Sequence, residues 1–435
     1  MLLFPLIFYK PSYGWFHPLI FPINLSLSFS LISIVKAIID PVEFLNTPIG
    51  LEWHVALSNL DQEQLTILET YEQLLTGLGI ISYYFGFFLT PSFGIPQLTF
   101  SRPQKLGWKL LPVIIFSIVV FAIYIRSQGG INAHLVSWAE GRAQALAGEG
   151  VWISMSGIGA LACIAWFAAD RTAHLNPLFW SSAAVTLSMN FLTKGSRGSV
   201  IVPIAISLFV WMLREKKIPT IKIVSFLIIG MILFSLLGNF RRGTQTSQEV
   251  DWNRLTDINS AIESAIGTED KKGEIEHRTG AQSGTLAILG NVPKRFDFLY
   301  GESYVTIVTF PIPRALWSNK PRGIGARVGT QLFGTENAGI PPGMVGEGYW
   351  NFGISGVILI HALFGCFHQW LVKVFKAYHK ESVFVAFYLY ILVFLPFTST
   401  KMSQFAVQMI PAIFMLRLAG VFSFKKKNKK VIKWQ

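Results

Sequence analysis

The chain has 435 residues, 51% of them apolar and only 14% charged, with a formal net charge of +13 and a mean hydropathy of +0.46. That balance excludes an ordinary soluble globular protein and a disordered chain, because so few charges cannot solvate so much apolar surface. The two cysteines, Cys163 and Cys366, sit in apolar runs far apart in sequence and offer no basis for a disulfide framework or a thiolate metal site.

A membrane-crossing helix needs about 20 mostly apolar residues. Ten segments qualify: 18–39, 72–90, 109–126, 151–169, 177–192, 199–213, 221–239, 348–371, 383–398 and 404–424. The expected fold is therefore all-α, a polytopic transmembrane helical bundle of about 10 spans with one large, partly helical outer loop. Residues 1–239 carry the first seven spans, 240–347 form the loop, and 348–435 hold the last three spans and a basic tail. Met1–Phe8 has neither a basic leader nor a small-residue cleavage site behind it, so no removable signal peptide is expected.

Positive charge is retained on the cytoplasmic side of membrane proteins. The basic turns at 102–109, 214–222 and 373–380 and the lysine tail at 425–433 accordingly belong inside. Both termini are then cytoplasmic and residues 240–347 lie outside. That loop balances 12 Lys or Arg against 12 Asp or Glu, so the excess of +13 resides elsewhere. Short cytoplasmic turns and anionic lipid account for the excess, and no nucleic-acid partner is expected.

In chain order, Asp40 to Glu72 carries seven acids and no Lys or Arg, as a solvated outer turn or an interfacial amphipathic helix would. A second outer loop, 126–150, contains Trp138, Glu140 and Arg142. The turn Lys194-Gly195-Ser196-Arg197-Gly198-Ser199 sets two cations ahead of a helix, which suits either an anion site or a snorkelling anchor. In the large loop, residues 249–276 hold eight acids against three bases, and Leu255, Ile258, Ile262 and Ile266 mark one helical face. Residues 278–327 invert this with seven bases against two acids, through a helix at 280–289 and a proline-rich stretch around Arg314. Arg417, two turns from the lysine tail, is expected to snorkel. No internal repeat is evident, unlike the repeat-built transporters.

No P-loop, HExxH, GxSxG or paired CxxC occurs. His361 and His368 are seven apart on one helix face and read as packing residues, so neither metal nor cofactor is expected. What remains is a set of cations, Arg241, Arg242, Arg314, Lys320, Arg322 and Arg327, followed by Glu347 and Tyr349 at the mouth of the eighth span. Guanidinium groups bind phosphate oxygens in pairs, and a carboxylate beside them is a candidate general base. A salt-bridged loop of balanced charge has the same composition.

Three blocks carry a resemblance: Tyr300-Gly301-Glu302-Ser303-Tyr304, Ile312-Pro313-Arg314-Ala315-Leu316-Trp317-Ser318-Asn319-Lys320-Pro321, and the run Gly346 to Gly356. In order and spacing they resemble the O-antigen polymerase (Wzy-type) family. Gly129-Gly130-Ile131 and Gly195-Ser196-Arg197-Gly198 are also similar to that group, over much of 120–365 and most sharply over 285–365. The resemblance implies a metal-independent, membrane-embedded glycosyltransferase of the bacterial inner (cytoplasmic) membrane. Its donor would be a glycan on undecaprenyl diphosphate, its acceptor one lipid-linked repeat unit, and its further partners the bilayer and a chain-length regulator.

Carried over by position, Arg314 and Arg197 would contact the diphosphate, and the residue chemistry adds Arg241, Arg242, Lys320 and Arg322. Arg314, Glu347 and Tyr349 form the expected catalytic set, with Glu347 acting on the attacking hydroxyl and Tyr349 or Trp317 stacking on sugar. An O-antigen ligase is the alternative enzyme, although its usual loop histidine has no counterpart beyond His277. A flippase or transporter is the alternative of another class, and would carry charge within its spans. Gly353, Gly356 and Gly365 thin one side of the eighth span, for a polyprenyl groove or for ordinary packing.

Overall fold

The computed structural model describes residues 16–21, 62–90, 93–100, 106–137, 150–215, 230–244 except 231, 234, 241 and 242, then 250–259, 280–309, 312, 317, 319–334, 339–395 and 402–424. The expected first span, most of the acidic outer turn, the Trp138–Arg142 segment and the lysine tail lie outside them, as do His277, Arg241, Arg242 and Arg314.

Apolar segments become helices because a helix satisfies its own backbone polar groups. In chain order the main elements are α1 (Gln62–Leu89), β1 (Leu98–Phe100), α2 (Leu106–Ser127), α3 (Gly150–Ser156), α4 (Ile158–Ala169), α5 (Pro177–Lys194) and α6 (Gly198–Glu215). They continue with α7 (Gly280–Asn291), α8 (Glu302–Thr309), α9 (Ile324–Arg327), α10 (Gly343–Tyr378), α11 (Ser382–Phe394), α12 (Met402–Leu418) and β2 (Phe422–Phe424). The fold is all-α apart from the β1–β2 pair. Among the described residues four helical segments are long and apolar enough to cross a bilayer: Gly107–Ser127, Gly150–Ala169, Gly198–Glu215 and Gly343–Tyr378.

Local chemistry sets the boundaries. The Asn176 side chain caps α5 by accepting from the Leu178 N–H, Pro177 fills the first helical position, and Gly195 stops the helix at φ 57°. The segment 151–169, expected as one helix, divides at Gly157 into α3 and α4. Ser117 of α2 inserts there, donating to the Ser156 carbonyl and accepting from the Gly159 N–H at 3.1 Å, which interrupts the helical ladder. The last segment, expected to run to 424, ends as helix at Leu418. Gly420 turns left-handed at φ 69°, and Phe422–Phe424 pairs antiparallel with Leu98–Phe100.

Five apolar clusters form among the described residues. One joins α2, α4, α5, α6, α11 and α12, and another seats α1 against α10. Beyond Gly353 α10 runs parallel to α1, since contacts climb together along both. The Tyr83 hydroxyl meets His368 Nδ1 at 2.7 Å, and the Tyr378 hydroxyl donates to the Pro96 carbonyl, just past α1, at 2.7 Å. His361 and His368 are buried in this seam.

One end of the bundle gathers β1, β2 and the cations Arg214 and Arg417. There Arg417 lies over the Phe424 ring at 5.0 Å, and Arg214 donates to the Phe167 carbonyl at 3.4 Å. The other end gathers the α5–α6 turn, Leu237, Phe240, Val250 and Leu255, and the loop elements α7 to α9.

The α1–α10 seam depends on glycine. A Cβ at Gly86 would collide with the Ala362 carbonyl oxygen, and one at Gly365 with that of Tyr83, whereas Gly77 has nothing within 4 Å. Backbone atoms cannot step aside, so Gly86→Ala and Gly365→Ala should each destabilise the protein by about 1–3 kcal/mol. Gly77→Ala should be neutral or slightly stabilising. Thermal unfolding of the purified protein in detergent checks this, and equal midpoints for all three variants would refute the close approach.

Candidate functional site

The site grows from a break in α10. Phe352 (φ −145°, ψ 24°) and Gly353 (φ 62°, ψ −146°) leave helical geometry, a conformation that glycine adopts at no steric cost at position 353. A break withdraws the N–H groups that would have bonded the carbonyls one turn earlier. The loop replaces them: Leu299 N–H donates to the Trp350 carbonyl at 2.9 Å and Tyr300 N–H to that of Asn351 at 3.1 Å.

To reach those carbonyls the loop chain takes two consecutive left-handed residues, Tyr300 at φ 47° and Gly301 at φ 92°. For a tyrosine that geometry costs about 1–3 kcal/mol, and it persists only where surrounding bonds hold it.

The Asn351 side chain supplies that hold. Its Oδ1 accepts from Gly301 N–H at 3.0 Å, and its Nδ2 donates to Ser303 Oγ at 2.8 Å and to the Glu347 carbonyl at 2.7 Å. Ser303 Oγ in turn donates to Glu347 Oε1 at 2.9 Å. Asn351 is 0% exposed and Glu347 9% exposed, so a carboxyl group is held in a nearly dry pocket by one neutral donor, the Ser303 hydroxyl. The Tyr304 hydroxyl lies in the same enclosure with no hydrogen-bond partner. Burial pushes its phenol pKa well up, and the neighbouring Glu347 adds to the rise.

Below this network α7 docks on the first turn of α10. Thr285 Oγ1 donates to the Pro342 carbonyl at 2.6 Å, and a Cβ at Gly346 would lie only 3.1 Å from atoms of Thr285 and Ile288. Leu286, Ala287 and Ile288 are fully buried there.

The structure thus brings two of the three sequence blocks together, Tyr300–Tyr304 and Gly346–Gly356. Tyr349 stands between Phe298 and Tyr71, both rings edge-on at 6.2 Å, which makes it a half-buried packing residue of this wall. Trp317 is 37% exposed, and Lys320 Nζ donates to the Ile312 carbonyl at 3.0 Å, folding the proline-rich block on itself. Arg322 is exposed. Arg327, expected with the phosphate-binding cations, is engaged instead by Glu302, its Nη1 lying 2.9 Å from Oε2 and its Nη2 bonded to Oε1. Arg197 belongs to the neighbouring cluster of the same bundle end and packs beside Gly238, where a Cβ would lie 2.7 Å from its guanidinium.

Sequence reasoning assigned no role to Ser303 or Asn351. Both stand inside the two blocks, but only the folded chain joins position 303 to positions 347 and 351. Among the described residues no three His, Cys, Asp or Glu side chains come together as a metal site would require. Comparison with family models, with curated proteins and with solved structures finds no match to this chain.

Asn351→Ala would leave the buried Gly301 N–H without its acceptor, at about 1–3 kcal/mol. Faster amide exchange and proteolysis confined to residues 291–304 should follow, with the bundle helices unchanged. A variant protected like the wild type at 299–303 would remove Asn351 from its organising role.

Proposed function

We propose that the protein is a membrane-embedded glycosyltransferase that joins undecaprenyl-diphosphate-linked oligosaccharide repeat units into a surface polysaccharide, at the outer face of a bacterial inner membrane. What chiefly supports the reading is the interlock of the Tyr300–Tyr304 and Gly346–Gly356 blocks around the buried Glu347 carboxyl. These are two of the three blocks that resemble the O-antigen polymerases, and a shared buried carboxyl gives their resemblance a chemical focus. In this reading the chain crosses the membrane about ten times, and the loop-bearing end faces outward because the basic turns collect at the other.

The chemistry follows from charge. Cleaving the bond between a sugar and its diphosphate builds negative charge on the leaving group, and fixed cations there stabilise the transition state more than the ground state. Arg314 and Arg197 are the residues proposed to take that charge, with Arg241, Arg242, Lys320 and Arg322 around them. Glu347 accepts the proton of the attacking sugar hydroxyl. Ser303 fixes one of its carboxyl oxygens and leaves the other free for that step, while Trp317 offers a ring face to a sugar. Tyr349 contributes by supporting the wall beside Glu347.

Deleting the gene in its host and sizing the surface and lipid-linked glycans tests the reading. Loss of the long ladder, with single repeat units still displayed, is the expected outcome. Long polymer left on the lipid carrier would indicate a ligase, and repeat units trapped inside a flippase. In complemented cells, Arg314→Ala and Glu347→Gln should each reduce chain growth at least a hundredfold, as loss of one transition-state contact does, with normal amounts of folded protein in the membrane. Normal polymer from either variant would exclude that residue from the reaction.

A further inference from the structure

The loop that docks on the break of α10 carries a tyrosine whose side chain the docking does not require. Among the described residues Tyr300 is the one non-glycine residue with a positive φ, 47°, a conformation that glycine adopts without steric cost. Its N–H donates to the Asn351 carbonyl at 3.1 Å, but any residue except proline supplies that N–H. The side chain itself is 75% exposed, so its burial does not offset the strain.

The ring has fixed surroundings all the same. Phe298 flanks it with centroids 6.2 Å apart and planes at 71°, and a Cβ at Gly353 would lie 3.6 Å from the Phe298 ring, which seats the pair on the break. Phe352, a second exposed ring, reaches to 3.3 Å from where a Cβ of Gly301 would stand. Asn351 bonds the Gly301 N–H and also reaches Ser303 and the Glu347 carbonyl, so the backbone that carries Tyr300 is tied to the one that carries Glu347. From Phe352 an exposed apolar stripe, Ile354, Ile358, Leu359 and Leu363, continues along α10, the surface that such a helix turns toward lipid when it crosses a membrane.

Strained residues persist at functional sites because the surrounding structure holds them. An exposed ring at such a position, standing where a lipid-facing stripe ends and tied to a buried carboxyl, is placed to meet a molecule that is part lipid and part polar. Tyrosine combines an apolar ring face with a polar rim, which matches the C–H face and hydroxyl rim of a sugar. Within the polymerase reading above, on which the inference rests, we propose that Tyr300, with Phe352 beside it, is a stacking subsite for a sugar ring of the lipid-linked glycan. Sequence reasoning assigned stacking to Tyr349 or Trp317, but Tyr349 stands between Phe298 and Tyr71, whereas most of the Tyr300 side chain is open.

The test uses the purified full-length protein in bilayer nanodiscs, with the lipid-linked single repeat unit extracted from the host deletion strain as substrate. Tyr300→Gly and Tyr300→Asn both suit a left-handed backbone and lack the ring, so each should unfold no earlier than the wild type. Each should raise KM by about 3- to 10-fold, the size of an aromatic contact, while kcat changes less than about twofold, the pattern of lost ground-state binding. Tyr300→Phe, which restores the ring, should recover most of the loss. Unchanged KM in the Gly and Asn variants of an active enzyme would overturn the subsite and leave the polymerase reading standing. Unchanged KM with a lower unfolding temperature in nanodiscs, but not in detergent, would make Tyr300 a membrane-interface anchor instead. No polymer from the wild type would remove the polymerase reading and the subsite together.

Discussion

The organisation of the loop end depends on a broken helix. At Phe352 and Gly353 the α10 ladder lapses, and the carbonyls of Trp350 and Asn351 become acceptors in a region with little water. Buried backbone groups must be satisfied, so the segment 299–301 is drawn onto them and takes the left-handed conformation that this requires. Everything near Glu347 follows from that docking, because it sets Ser303 beside the carboxyl and Asn351 beside Ser303. The same break ends the part of α10 that packs on α7, and the longer remainder packs along α1.

Rigidity below the break comes from a different source. Helices α1 and α10 approach so closely at Gly86 and Gly365 that side chains there would collide with backbone, and small residues are how helices in a lipid-like environment gain packing energy. Two glycines of α10 allow such approaches: Gly356 lies against the Gly348 carbonyl across the break, and Gly365 lies against α1. In the proposed enzyme, a stiff parallel pair beneath the site would keep Glu347 in one position while the outer loop receives its large substrates.

Charge is sorted along the bundle. At one end cations anchor to carbonyls and aromatic rings, as Arg214 and Arg417 do. At the other end Glu302 engages Arg327, and Asp251 lies 3.5 Å from Arg254, so part of the loop's basic character is spent within the protein.

Sequence alone determined the membrane-protein class, the positions of most helices and the helix at 280–289, because hydropathy and helix-stop residues act over a few neighbouring positions. It did not disclose that β1 pairs with β2, since Phe422–Phe424 reads as the end of a span, Leu98–Phe100 as a connection, and the paired Thr99 and Ser423 lie 324 residues apart. Nor did it reveal the Ser303–Glu347–Asn351 network or the engagement of Arg327 by Glu302. Those depend on which segments meet across the bundle, and such meetings are decided by the closeness of glycine-lined helices and by the carbonyls that a broken helix leaves to be satisfied.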